Sequence, residues 1–229
     1  MPVDALLFDK DGTLFDFAAT WNEWTEDLIR DLSQGQEHVT RDLAEVLGYD
    51  LSTSSFRPDS IAIACANEEI AAAMAPVVDH MTVAEIEHHL ATSAASANLA
   101  EAVPLVAFLD DLLARGKVLG VMTNDAEISA RSQLERAGVL GHFAFIAGYD
   151  SGHGAKPDPD PLLAFCREVG IAPARTAMVG DSRHDLEAGS AAGMRRIGVL
   201  TGLALHEDLA PLADVVLPDI GHIPAWLDT

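Results

Sequence analysis

Asp9, Lys10, Asp11 and Asp16 crowd the stretch FDKDGTLFDF (Phe8 to Phe17), directly after an apolar run. Charge placed where a buried strand has just ended is placed to do chemistry. The pattern recurs: Thr123 closes the run in KVLGVMTND, and Asp181 closes the run in AMVGD, with Ser182 and Asp185 just beyond it in GDSRHD. Lys156 precedes the Pro-rich turn of GAKPDPDP. Carboxylates brought together repel one another, and a hard divalent cation with oxygen ligands relieves that repulsion; magnesium fits the description. An anion handled by such a site needs local positive charge, and lysine occurs only as Lys10, Lys117 and Lys156.

Strands alternating with helices must bring these residues together. VDALLFD, KVLGVMTND, FAFIAGYD, RTAMVGDS and RRIGVLTG read as short buried strands. EISARSQLERAG, DPLLAFCREVG and RHDLEAGSAAG read as the helices between them. That order predicts an α/β fold, a doubly wound parallel sheet reached by right-handed crossovers, with Asp9, Thr123 and Asp181 converging at its carboxyl edge. The rhythm breaks between about Phe17 and Ala100. TWNEWTEDLIRDL, TRDLAEVLG, SIAIACANEEIAAAMA and TVAEIEHHLATSAASA are helical patterns with no convincing strand among them. The expectation is a core of residues 1–16 and 101–229 carrying an all-helical insert, 17–100. Trp21, Trp24 and Leu28 fall on one face of its first helix and read as packing residues. His88 and His89, consecutive on a helix, point in different directions and make a poor ligand pair.

Composition narrows the function classes. The 229-residue chain is 49% hydrophobic and 22% charged, which excludes a wholly disordered protein, and no apolar run reaches membrane-spanning length. A net charge of −22 argues against nucleic acid and anionic membranes as partners, because both need a basic surface. MPVDALLFDKDG has neither a basic n-region nor a long apolar h-region, so a cytoplasmic location is expected. Cys65 and Cys166 stand alone in helical patterns and read as small buried residues.

The chain resembles the haloacid dehalogenase superfamily, most of whose members are phosphatases. DKDGTL (Asp9 to Leu14) is similar to its first motif, MTN (Met122 to Asn124) to its second, Lys156 in AKPDP to its third and GDSRHD (Gly180 to Asp185) to its fourth. The helical insert after the first motif resembles the small cap of the subgroup that includes phosphoglycolate phosphatases and β-phosphoglucomutases. The resemblance implies that Asp9 is the nucleophile, forming an aspartyl-phosphate, and that Asp11 protonates the leaving oxygen and then activates water. To protonate the leaving oxygen Asp11 should start neutral, as burial beside other acids favours. It implies that Thr123, through its hydroxyl, Asn124, through its backbone N–H, and Lys156 bind the phosphoryl group. Mg2+ would be held by Asp9, the backbone carbonyl of Asp11 and Asp181, with Asp185, and Ser182 as a further candidate, orienting bound water. Gly12 would let the backbone turn away from its strand.

Two residues depart from the pattern. Lys10 stands where these phosphatases often have an aliphatic residue. P-type pumps read D-K-T-G-T there, but Asp11 and the lack of apolar spans exclude that class, which leaves Lys10 to ease local negative potential or to form a salt bridge. Phe17 replaces a small polar residue at the expected hinge. Arg57, in SSFRPDS between insert helices, is a candidate for pairing a substrate carboxylate, with a plain surface charge as its rival reading. The expected function is magnesium-dependent hydrolysis of a small phosphorylated metabolite such as 2-phosphoglycolate. A phosphomutase is the alternative, a non-catalytic binding or regulatory protein is third, and dehalogenation, which needs neither Asp11 nor magnesium, is weaker still.

Overall fold

All four side chains of Ala5–Phe8 are buried, yet they serve two different cores, because successive residues of a strand face opposite sides. Leu6 and Phe8 join Leu119, Val121, Ala177, Val179, Ile197 and Val199 on one side. Ala5 and Leu7 join Met122 and Met178 on the other. A sheet apolar on both faces must be covered twice, and runs of aliphatic residues without polar alternation are the sequence mark of that arrangement.

The computed structural model describes residues 2–57, 60–64 and 67–229, the side chains of Ile63, Ala64, Ala95 and Ser96 excepted. The strands are β1 (Ala5–Phe8), β2 (Tyr49–Asp50), β3 (Ser55–Phe56), β4 (Val118–Met122), β5 (Phe145–Ala147), β6 (Thr176–Gly180), β7 (Arg195–Val199) and β8 (Val215–Leu217). The helices are α1 (Phe17–Ser33), α2 (Glu37–Leu47), α3 (Ile61–Ala64), α4 (Asn67–Met74), α5 (Val83–Ser96), α6 (Leu105–Ala114), α7 (Glu127–Arg136), α8 (Asp160–Val169), α9 (Arg183–Ala192), α10 (His206–Leu209) and α11 (Ile223–Leu227). Two compact units result: Met1–Phe17 with Leu99–Thr229, and Ala18–Asn98. No helix among the described residues is long and apolar enough to cross a membrane.

In the first unit a 6-stranded sheet runs β5-β4-β1-β6-β7-β8, every pair parallel. The α/β doubly wound expectation is met, and β8, a short strand absent from the sequence reading, extends the edge. From β1 the chain winds outward through β4 and β5, then returns to the other side of β1 and winds outward through β6, β7 and β8. The reversal falls between β1 and β6, the position at which such sheets open a crevice at their carboxyl ends. α6, α7 and α11 supply Leu105, Phe108, Leu109, Leu112, Ala130, Leu134 and Ile223 to one core. α8 and α9 supply Leu162, Phe165, Cys166, Ala188 and Ala192 to the other. Cys166 is buried as expected; Cys65 lies outside the described residues.

The chain leaves and re-enters this unit at adjacent points. Phe15 bridges Glu101 in antiparallel fashion, Asp16 N–H donates to the Ala100 carbonyl at 2.8 Å, and Ala102 N–H donates to the Leu14 carbonyl at 3.0 Å. Phe17 is buried and its N–H donates to the Thr201 carbonyl.

Among its described residues the second unit is helical but for one ribbon that the sequence does not announce: β2 and β3 pair antiparallel, with Tyr49 opposite Phe56. These strand-forming aromatics meet edge to face at 5.1 Å, across a turn in which Asp50 accepts from Ser52 N–H and Oγ. Trp21 and Trp24 also meet edge to face, at 5.3 Å, and Leu28 is buried. His88 is exposed and His89 half-buried.

Helix α8 approaches the sheet at a glycine. A Cβ on Gly120 of β4 would lie 2.7 Å from the Phe165 ring and 3.0 Å from Leu7. Gly120→Ala is therefore expected to cost about 1–3 kcal/mol by overpacking, read as a lower urea midpoint. Phe165→Leu in the same chain should return part of that loss, a coupling visible in the double-mutant cycle.

Candidate active site

Strand register assembles the site. Asp9 and Asp181 each stand one residue past the end of adjacent strands, β1 and β6, and Asp9 N–H still donates to the Val179 carbonyl at 2.8 Å. Asp185 lies in the first turn of α9, where Ser182 Oγ accepts from Asp185 N–H and the Asp185 carboxylate accepts from Ser182 N–H and Oγ. This capping box fixes the helix start and the carboxylate together. Asp9, Asp181 and Asp185 thus present one carboxylate oxygen each, all within 4.8 Å of one another.

Lys156 sits among them. Its Nζ lies 2.7 Å from Asp9 Oδ1 and 2.6 Å from Asp185 Oδ1, with its side chain 3% exposed. Its backbone is clamped by Asn124, whose Nδ2 donates to the Lys156 carbonyl and whose Oδ1 accepts from the Lys156 N–H, both at 2.9 Å. The family resemblance implies only a backbone role for Asn124. Thr123 stands past the end of β4, with its hydroxyl accepting from Asp125 N–H at 3.1 Å. Thr13, passed over in the sequence, donates from Oγ1 to Asp181 Oδ1 at 3.1 Å.

Asp11 does not join the three-carboxylate group. Its side chain is 22% exposed and pairs with Lys10 Nζ at 2.6 Å, so the burial among acids expected for it is not found. Lys10 itself is fully buried; of the two roles expected of it, the structure shows the salt bridge. Arg57 belongs to the second unit, where its Nη atoms engage Glu45 at 2.8 and 3.2 Å.

The charge balance of the cluster is incomplete. Burial pushes the Asp9 carboxyl up to about 7; Lys156 pulls it down, while Asp185 and Asp11 add to the rise. Burial, then Asp9 and Asp185, hold Asp181 well above the ordinary carboxylate range, against Lys156 and the Thr13 hydroxyl. For Lys156 burial disfavours the ammonium, but Asp185 and Asp9 outweigh it and raise it above the usual lysine value. Burial likewise disfavours the Lys10 ammonium, and Asp11 and Asp125 overcome it. One ammonium beside three crowded carboxylates leaves negative charge that a cation would neutralise. The donor set, carboxylate oxygens without nitrogen or sulfur, suits a hard divalent ion.

Glycines shape the space around Asp181. Gly12 has φ +75°, where a side chain is strained, and a Cβ there would lie 2.4 Å from Asp181 Oδ2. A Cβ on Gly202, after β7, would lie 1.8 Å from the same atom.

Residues 6–199 match the family of haloacid dehalogenase-like hydrolases. The chain belongs to that family. Among relatives of this family member, the phosphoglycolate phosphatase of Escherichia coli (strain K12) is 36% identical over 112 residues, which are 49% of this chain and 43% of that protein. The chain thus spans less than half of that relative's length. The phosphoglycolate phosphatase of Xylella fastidiosa (strain 9a5c) is 30% identical over 203 residues, 89% of this chain and 82% of that one. The crystal structure of a predicted phosphoglycolate phosphatase from Haemophilus somnus 129pt superposes with a TM-score of 0.73 at 18% identity, covering 98% of this chain and 97% of that chain. At that identity the likeness is one of fold.

Gly202→Ala tests the cradle. Its backbone needs no left-handed conformation, and the added Cβ would lie 1.8 Å from Asp181 Oδ2 and 2.6 Å from Asp181 Cβ, so the carboxylate and the Gly202 loop cannot both keep their places. Titration calorimetry with Mn2+ is expected to show affinity lowered about 10- to 100-fold.

Proposed function

We propose that this protein is a magnesium-dependent phosphatase that hydrolyses a small phosphorylated metabolite through an aspartyl-phosphate on Asp9. The observation that carries the reading is that Asp9 has Oδ1 2.7 Å from Lys156 Nζ and also presents a carboxylate oxygen within 4.8 Å of one from each of Asp181 and Asp185. A carboxylate so surrounded is a nucleophile with its anionic partner's counter-charge already beside it. The relatives of this chain named phosphoglycolate phosphatase support the same reaction class.

Asp9, Asp181 and Asp185, with the backbone carbonyl of Asp11, would hold Mg2+, which when bound supplies charge neutralisation for the phosphoryl oxygens. The remaining work falls to the chain. Lys156 and the Thr123 hydroxyl, with the Asn124 backbone N–H, bind the phosphoryl oxygens, and Asn124 keeps Lys156 in place through its clamp. An Asp9 oxygen attacks phosphorus as the ester P–O bond breaks, and Asp11 gives its proton to the departing oxygen. The Asp11 carboxylate then takes a proton from water as that water attacks phosphorus and releases Asp9.

The helical unit, read as a cap, would choose the leaving group. If the substrate is a phosphorylated carboxylic acid such as 2-phosphoglycolate, its carboxylate needs a cation, and Arg57 is the candidate, exchanging Glu45 for the ligand.

Phosphate release from p-nitrophenyl phosphate should require magnesium and disappear both in Asp9→Asn and on chelation; full activity in either case would sink the mechanism. Arg57→Ala should lower kcat/KM for 2-phosphoglycolate about 10-fold or more while leaving p-nitrophenyl phosphate nearly unchanged. An equal effect on both removes Arg57 from substrate binding.

A further inference from the structure

Lys10 is the residue that this chemistry leaves unexplained. Its side chain is fully buried, which is rare for lysine without fixed partners, and it lies between the proposed nucleophile and the proposed acid. Alternation carries it toward the Phe8 side of β1, away from the carboxylate cluster, and there it meets α7. Its Nζ donates to Gln133 Oε1 at 2.5 Å and pairs with Asp11 Oδ2 at 2.6 Å and Asp125 Oδ2 at 3.3 Å.

Each of the distant partners is itself fixed. Asp125 accepts from Ala126 N–H and from Ser129 Oγ, both at 2.7 Å, which ties it to the start of α7. Gln133 is fully buried, two turns further along that helix, and its Nε2 has no hydrogen-bond partner among the described residues. A buried amide half-satisfied in this way is destabilising in itself, and its one bond goes to the lysine. The ammonium is therefore held at two points, one on α7 and one just before its start, and also meets one oxygen of Asp11.

We propose that Lys10 is a positioning residue, which, braced by Gln133 and Asp125, holds the Asp11 carboxyl group in the orientation from which it passes its proton to the leaving oxygen. The inference rests on the phosphatase reading above. In the step concerned, the bond from Asp9 to phosphorus forms, the ester P–O bond breaks, and the proton moves from Asp11 to the departing oxygen, leaving a carboxylate. That new negative charge arises 2.6 Å from a buried cation that is already in place.

A structural role and a positioning role differ in how they depend on the leaving group. Proton donation matters little when p-nitrophenolate departs and a great deal when a poorer leaving group does. The experiment compares kcat/KM, which reports phosphoenzyme formation, for p-nitrophenyl, phenyl and 4-methoxyphenyl phosphates with magnesium in the wild type, Lys10→Met and Gln133→Met. Lys10→Met should lose about 10- to 100-fold more on the two poorer leaving groups than on p-nitrophenyl phosphate. Gln133→Met, which keeps the Lys10–Asp11 pair and replaces the poorly satisfied amide, should steepen the series in the same direction by a smaller factor. If Lys10→Met does not fold, Gln133→Met decides alone. Parallel series in the folded variants, with an active wild type, would overturn the role of Lys10 and leave the phosphatase reading standing. A wild type that releases phosphate from none of the three overturns that reading and this inference with it.

Discussion

The ammonium of Lys156 is the interaction on which the site depends. It stands within 2.7 Å of Asp9 and 2.6 Å of Asp185, two carboxylates that arrive from different elements and would otherwise face each other across a buried space. Removing one member of such a buried set leaves uncompensated charge, at a cost on the order of 3–5 kcal/mol. Everything nearby serves to keep that lysine in place: Asn124 grips its backbone, the capping box of α9 fixes Asp185, and β1 fixes Asp9. Burial, with the neighbouring carboxylates adding to it, raises Asp9 and Asp181 despite Lys156.

The sheet makes this concentration of charge possible without weakening the core. The side chains of β1, and of β6 after Thr176, are apolar on both faces up to Phe8 and Gly180, and a carboxylate follows at the next residue of each. The reversal of winding between β1 and β6 keeps helices from closing over their carboxyl ends. The same strands that bury Leu6, Phe8, Ala177 and Val179 therefore deliver Asp9 and Asp181 to the open edge.

Much of this was legible in the sequence because each signal was local. An apolar run closed by Asp or Thr marks both a strand and its carboxyl end, so the positions of Asp9, Thr123 and Asp181 at strand ends are legible in the sequence. Asp185 followed from helix spacing after Asp181. Most of what escaped was either short or distant. β8 has three residues and the β2–β3 ribbon two per strand, too few for a period to register. α6 was missed despite its buried residues at 105, 108, 109 and 112, a spacing that does announce a helix. The bracing of Lys10 by Gln133 joins residues 123 positions apart, and a glutamine on a helix face carries no mark of what it touches. Asp11 was expected among acids because its sequence neighbours are acidic, whereas its side chain turns to the one cation between them.

The doubled crossing at residues 14–17 and 100–102 has a consequence for how such a chain can change. Exit and return are joined by backbone hydrogen bonds, Asp16 to Ala100 and Ala102 to Leu14. A segment whose two ends already meet need span no distance, and lengthening a closed loop adds little entropic cost. The core therefore sets no requirement on the length or architecture of what is spliced in at that point. An insert of another size or fold could take the place of 18–98 while every catalytic candidate on β1, β4, β6 and α9 keeps its register.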